Sequence, residues 1–247
     1  MIRFDKVKKS FGPKEVLKGI SFSVKKGEIL FILGTSGTGK SVLLKNLVGL
    51  LRPTSGEIWI DGQEVSHLTE EEYLPVRRRC GMVFQHPALF DSLSVYENVA
   101  FGLRRHFSDL KESQIREKVM ESLNLVHLNG IESKRPQEIS YGMQKRVSLA
   151  RTLAVGPEVL LFDEPTTGLD PITTNAINQL IQELSHKLQT TSIVVSHDMH
   201  CALDIADRVI VLDQGHIVEE GDVEHLKQSS HPLVRDFLQE ALSAERA

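Results

Sequence analysis

Short apolar runs recur along the chain, and each stops abruptly at polar or glycine positions. They are Ile29-Leu30-Phe31-Ile32-Leu33, Gly81-Met82-Val83-Phe84, Val159-Leu160-Leu161-Phe162 and Ser192-Ile193-Val194-Val195-Ser196. Runs of this length, rich in branched residues and without polar alternation, predict strands buried on both faces. Between them the apolar positions change to helical spacing. Val42, Leu43, Leu44, Leu47, Val48, Leu50 and Leu51 predict a helix that continues until Arg52-Pro53. Ile177, Leu180, Ile181, Leu184 and Leu188 predict another just before the last run. Strands alternating with helices predict a mainly parallel sheet, with its ligand at the carboxyl ends of the strands.

The flanking segments follow other patterns. Ile2-Arg3-Phe4, Gly19-Ile20-Ser21-Phe22-Ser23-Val24 and Glu57-Ile58-Trp59-Ile60, the last followed by Asp61-Gly62, predict a small antiparallel β-subdomain in the N-terminal third. From about His86 to Leu149 the pattern is helical. There Asp109 with Glu112 predicts the start of a helix carrying Ile115, Val119, Met120, Leu123 and Val126 on one face. Val209-Ile210-Val211-Leu212, Gln214-Gly215 and Ile217-Val218 predict a hairpin. Leu233, Val234, Phe237, Leu238 and Leu242 predict an amphipathic tail helix. The expected organisation is a single α/β domain, with residues 1–85 and 150–229 forming the core and β-subdomain. Residues 86–149 form an inserted α-helical subdomain, and 230–247 a C-terminal amphipathic extension.

Composition narrows the partners. A net charge of −4 gives no general basic field, and the cluster Arg77-Arg78-Arg79 reads as a solvated or partner-facing turn, so no nucleic acid is expected. Cys80 and Cys201 lie in apolar or helical surroundings and predict reduced core residues. The histidines include no metal-binding pair spacing. No apolar run approaches the ~20 residues that span a bilayer, so a cytosolic chain is expected, even one that works at a membrane.

The chemistry is concentrated at the strand ends. Gly34-Thr35-Ser36-Gly37-Thr38-Gly39-Lys40-Ser41 follows the first buried run and opens a helix. In that context the spacing predicts a phosphate-binding loop whose backbone N–H groups turn toward phosphate oxygens at a positive helix end. Lys40 is expected to reach the β- and γ-phosphates of a nucleotide, and Ser41 to ligate Mg²⁺. Asp163 and Glu164 end another apolar run, which places two carboxylates at the sheet rim. Asp163 fits a Mg²⁺ holder acting through water, and Glu164 a base for the attacking water. Ser140 is placed as a helix N-cap, so that the helix behind it presents N–H groups to an anion.

The phosphate loop, then Ile139-Ser140-Tyr141-Gly142-Met143-Gln144-Lys145-Arg146, then the acid pair, in that order, resemble the ATPase subunit of an ABC transporter. The resemblance runs from Phe11 through His197. It implies a P-loop NTPase core that binds ATP and Mg²⁺, with Gln85 contacting Mg²⁺ and the attacking water and His197 facing the γ-phosphate. It further implies Phe11 stacking on adenine, where the residues alone leave a core phenylalanine open. Gly168-Leu169-Asp170 is similar to the family's D-loop, in which Asp170 can also cap the next helix. A head-to-tail homodimer is implied, with Ser140 and Gly142 of one subunit contacting the ATP held by the other. Tyr141 departs from the family's usual glycine.

The segments from Phe31 to Lys45, from Phe84 to Val99 and from Gly142 to Val147, with His231-Pro232-Leu233-Val234-Arg235-Asp236-Phe237-Leu238, look like the ATPases of Mla/Mce-type lipid transport systems. That branch implies an integral-membrane permease, an MCE-domain lipid-binding protein, and a peripheral place on the cytoplasmic face of the inner membrane. Ala88, Leu89, Phe90, Leu93, Val95 and Tyr96 would form the groove for the permease. An amino-acid importer or a lipoprotein-release system carries the same motif set, so these remain alternatives; a soluble ABC protein normally carries long coiled-coil insertions or two cassettes, and this sequence has neither.

Overall fold

The computed structural model describes residues 1–244. Strands β1 (Ile2–Phe11) and β2 (Lys14–Val24) form an antiparallel hairpin with Ile2 opposite Val24. The fully buried strand β3 (Ile29–Leu33) delivers the chain to α1 (Lys40–Leu47). This helix ends earlier than its leucines predict. Gly49 takes φ 67, and a Cβ there would lie 2.5 Å from the Tyr73 ring, so the chain turns before Leu50, which is exposed. Strands β4 (Ser55–Ile60) and β5 (Gln63–Glu64) complete a four-stranded antiparallel sheet in the order β2-β1-β4-β5.

Helix α2 (Glu70–Arg79) corrects the reading of the arginine cluster as a turn. Thr69 and Glu72 form a capping box at its start, and Arg77-Arg78-Arg79 is its last turn. Arg77 donates to the carbonyls of Val48 and Gly49 at 2.8 and 3.0 Å and so ties α2 to the end of α1. Strand β6 (Cys80–Val83) follows, and then the helical subdomain: α3 (Val95–His106), α4 (Glu112–Leu125) and α5 (Tyr141–Leu153). Asp109 does not start α4. Its N-cap is Lys111, whose N–H donates to Gln114 Oε1 at 2.9 Å. The last helix of the insertion also runs to Leu153, past the expected boundary at 149.

The core resumes with β7 (Val159–Asp163), α6 (Pro171–Leu188), β8 (Thr191–Ser196), α7 (Met199–Ile205) and the expected hairpin of β9 (Arg208–Asp213) and β10 (His216–Gly221). The short α8 (Val223–Lys227) and α9 (Pro232–Ala244) end the described chain. The second sheet has the order β10-β9-β3-β8-β7-β6 and is parallel except at β10. Its strands alternate between two cores. Ile29, Phe31 and Leu33 face the helical subdomain, whereas Leu30 and Ile32 face α1 and the antiparallel sheet.

This topology explains where function can sit. The carboxyl ends of β3, β8, β7 and β6 are adjacent, with Leu33 paired to Ser196, Asp163 to Val195, and Val83 to Phe162. Helix α9 packs on α7, burying Val234, Phe237 and Ala241. Leu242, expected on the same face, is 55% exposed. The interior strand β7 is packed on both faces and Leu161 is fully buried, so Leu161→Ala should lower the unfolding free energy by about 3 kcal/mol. Urea titration followed by circular dichroism checks this; a change below ~1 kcal/mol would contradict the packing.

Candidate active site

The loop after β3 wraps around the Lys40 side chain. Lys40 is 5% exposed, and its Nζ donates to the carbonyls of Gly34 and Thr35 at 2.6 and 3.1 Å. The Thr38 hydroxyl donates to the Thr35 carbonyl at 2.9 Å, closing the turn from within. Gly34 is required for close approach, because a Cβ there would lie 2.5 Å from the Leu212 carbonyl oxygen. Gly39 then leads into α1, so loop N–H groups and the helix end converge on one concavity.

Asp163 and Glu164 leave β7 on different missions. The buried Asp163 accepts from the Ser41 hydroxyl at 2.7 Å, which joins β7 to the start of α1. Glu164 adopts φ 50, a left-handed conformation that costs a residue with a side chain about 1–2 kcal/mol. Its N–H donates to the Val195 carbonyl at 2.9 Å. Its carboxylate lies 3.4 Å from Lys40 Nζ, 2.7 Å from His197 Nδ1, and 3.2 Å from the Thr167 hydroxyl that donates to it. The strained backbone thus turns the second acid toward the phosphate loop and the histidine together.

Thr35, Ser36, Gly37, Gly39, Lys40, Ser41, Gln85, Glu164 and His197 line one cavity of about 680 Å³. These are nine of the residues singled out from the sequence, drawn from four strand ends. Val16, Val42, Thr167, Phe237 and Glu240 complete its wall. Sequence reasoning missed all five. Thr167 directly precedes the Gly168-Leu169-Asp170 segment, and Phe237 lies in the predicted tail helix; α9 therefore belongs to the wall of this site. Phe11 is 46% exposed at the end of β1, with Lys9 Nζ 5.0 Å from its ring centroid, so it is not a core residue. It does not line the cavity; Val16 of the facing strand does.

The remaining predicted residues form a second concavity of about 340 Å³, lined by Ser140, Tyr141, Gly142, Gly168, Asp170 and their neighbours. Ser140 caps α5 by accepting from the Met143 N–H at 3.3 Å, as its position predicts. Asp170 caps α6 by accepting from the N–H of Thr173 at 3.0 Å, and its bonds to Thr173 hold its carboxyl below the usual range. Tyr141 is helical, so no glycine is needed there. Its hydroxyl lies 3.3 Å from His86 Nδ1 and its ring 5.4 Å from Lys145 Nζ. The ring therefore packs on this chain's own loops. Lys145 is 5% exposed, and burial pushes its ammonium down to about 8.

The donors suit a hard divalent cation. A hydroxyl, a carboxylate and an amide oxygen are offered by Ser41, Asp163 and Gln85, and among the described residues no group of three or more His, Cys, Asp or Glu forms a closed cage. Such sparse oxygen ligation matches Mg²⁺, which keeps waters and substrate phosphates in its shell.

A phosphate loop at a parallel strand end, a hydroxyl–carboxylate pair and a second acid beside a histidine together define a nucleotide-hydrolysing P-loop core. The family model for ABC transporters matches residues 17–167, and the chain belongs to that family as one of its ATP-binding ATPase cassettes. It is 43% identical over 232 residues to the methionine import ATP-binding protein MetN of Carboxydothermus hydrogenoformans, covering 94% of this chain and 68% of that one. It is also 43% identical over 227 residues to the intermembrane phospholipid transport system ATP-binding protein MlaF of Haemophilus influenzae, covering 92% and 86%. Among solved structures it is similar to the ATP-binding cassette MJ0796, a dimer in a post-hydrolysis state bound to ADP and Pi. That match has a TM-score of 0.82 and 32% identity and covers 90% of this chain and 99% of that one.

Because Lys40 is enclosed by the loop it serves, Lys40→Ala should abolish binding of a fluorescent ATP analogue without unfolding the chain. Titration followed by fluorescence anisotropy checks this, and undiminished affinity would refute it.

Proposed function

We propose that this chain is the ATP-hydrolysing subunit that powers lipid transport through a membrane permease. The hydrolytic part of the reading rests on one observation: Glu164 stands between Lys40 and His197 at 3.4 and 2.7 Å. In this account the loop N–H groups and Lys40 hold the β- and γ-phosphates. Ser41 and Asp163, with Gln85, hold Mg²⁺, which when bound neutralises phosphate charge. Phe11 stacks on the adenine from the exposed end of β1.

Glu164 orients a water for attack on the γ-phosphorus and accepts its proton as the bond from γ-phosphorus to the bridging oxygen breaks and ADP leaves. His197 fixes the Glu164 carboxylate and contacts the γ-phosphate. A second copy of the chain presents Ser140 and Gly142 to that phosphate, and Asp170 follows the loop that meets the first copy. The N-terminus of α5 supplies backbone N–H groups at that contact.

The permease would dock beside Gln85. Phe84, directly before Gln85, is exposed, and farther along Phe90 and Phe101 are also exposed with their rings 4.7 Å apart. Val95, assigned to that groove from the sequence, is fully buried and belongs to the core. The lipid reading is supported by the Gly142-Met143-Gln144-Lys145-Arg146 segment and by the similarity to MlaF; an MCE-domain lipid-binding protein would then be a further partner. Among the described residues no helix is long and apolar enough to cross a membrane, so attachment to the cytoplasmic face of the inner membrane would go through the permease. Similarity to MetN supports methionine import as the second reading.

Glu164→Gln should keep ATP affinity within about twofold, lower hydrolysis at least about a hundredfold, and accumulate ATP-bound dimers on size exclusion. Hydrolysis near the wild-type rate would refute the assignment. The complex purified from membranes should carry phospholipid detectable by mass spectrometry, and its ATPase should be indifferent to methionine. Stimulation by methionine without bound lipid would favour the importer.

A further inference from the structure

Lys145 lies in the second turn of α5, outside the phosphate cavity, yet its ammonium is buried. Among the described residues no carboxylate stands within ion-pair distance of it, although the charge of Glu164 acts on it from farther off and favours its protonated form. Its Nζ donates instead to two backbone carbonyls, that of Gln85 at 3.0 Å and that of Pro165 at 2.8 Å, and one face of the Tyr141 ring covers it. Removing an ammonium from water without a carboxylate partner is unfavourable, and a methionine or leucine would fill the same space without that penalty. The observation asks what the two bonds achieve.

Their acceptors are informative. Gln85 and Pro165 follow β6 and β7, at the rim where sheet pairing has ended. Pro165 directly follows Glu164, whose φ of 50 is unfavourable for a glutamate. A strained residue keeps its conformation only where its neighbours are fixed. Lys145 fixes the peptide after Pro165 and the peptide after Gln85 to one atom. Both residues that would handle the attacking water are thereby set in one frame, on the helix that begins at Ser140.

We propose that Lys145 is a positioning residue that holds Glu164 and Gln85 in register and so sets the rate of hydrolysis without contributing to ATP binding. The inference rests on Glu164 being the base. It also gives Tyr141 a function. The ring shields the ammonium, and the hydroxyl meets His86 beside Gln85 at 3.3 Å, so the side chain that departs from the family's glycine reinforces the same junction.

The test measures steady-state hydrolysis at saturating ATP and Mg²⁺, together with fluorescent ATP-analogue titration, in wild type, Lys145→Met, Lys145→Arg, Glu164→Gln and the Lys145→Met/Glu164→Gln double variant. Lys145→Met should lower kcat at least about tenfold with the analogue Kd changed less than about twofold, as expected of a small displacement of reacting groups. Lys145→Arg, which keeps a donor, should stay within about threefold of wild type. In the double variant the lysine change should add less than about twofold to the loss caused by Glu164→Gln.

A folded Lys145→Met with wild-type kcat would overturn the proposal, as would a kcat loss matched by lost ATP binding. Lys145→Gln, judged by the same criteria, replaces the methionine variant if the latter does not fold. Full hydrolysis by Glu164→Gln would refute the base itself, whereas its loss beside an unaffected Lys145→Met would refute only the positioning role.

Discussion

The parallel register of β3, β8, β7 and β6 decides where each polar group of the site can stand. Parallel strands cannot be joined by tight turns, so each crossover leaves its strand end free at one edge of the sheet. The pairings of Leu33 with Ser196, Asp163 with Val195, and Val83 with Phe162 bring the phosphate loop, the acid pair, His197 and Gln85 to the same rim. A one-residue slip of β7 would exchange its two faces and carry Asp163 away from Ser41. Burial on both faces makes such a slip expensive, so a hydrophobic packing requirement fixes the geometry of a polar site.

On that rim, local conformations refine what register alone places roughly. Glu164 would follow the strand direction if it stayed extended; its left-handed turn directs the carboxylate to Lys40 and His197 instead. The bond from its own N–H to Val195 holds the peptide before it, and the bond from Lys145 to Pro165 holds the peptide one residue beyond it. The helical subdomain is thus joined to the sheet through the backbone carbonyls of Gln85 and Pro165, the latter beside Glu164. Under the proposed positioning role, motion of α5 would reach Glu164 and Gln85 through these two bonds, linking the surface proposed to meet a second subunit with the proposed chemistry.

The sequence made the strands and their terminal motifs legible because burial on both faces leaves an unbroken apolar run, and the motif residues stand immediately after it. Helix α2 was hidden by its composition: three glutamates, Pro75 and three arginines leave only Tyr73 and Val76 buried, although Thr69 and Glu72 carried a capping signal. Leu50 and Leu51 continue the apolar pattern after Gly49 has turned the chain, which hides the end of α1. The burial of Lys145 has no signature in the sequence, since a lysine at that spacing reads as solvated until long-range packing buries it. Phe237 and Glu240 reached the cavity wall through the docking of α9 on α7, a contact that periodicity cannot specify.

In the proposed reading, each catalytic site is divided between two copies of the chain, the phosphate loop from one and the Ser140 segment from the other. Mixing two inactive variants tests this most directly: Lys40→Ala, with an intact Ser140 segment, and Ser140→Arg, with an intact phosphate loop. Hydrolysis should return in the mixture, because the mixed dimer contains one complete composite site, while each variant alone stays silent. A mixture that forms dimers but remains inactive would contradict the divided site.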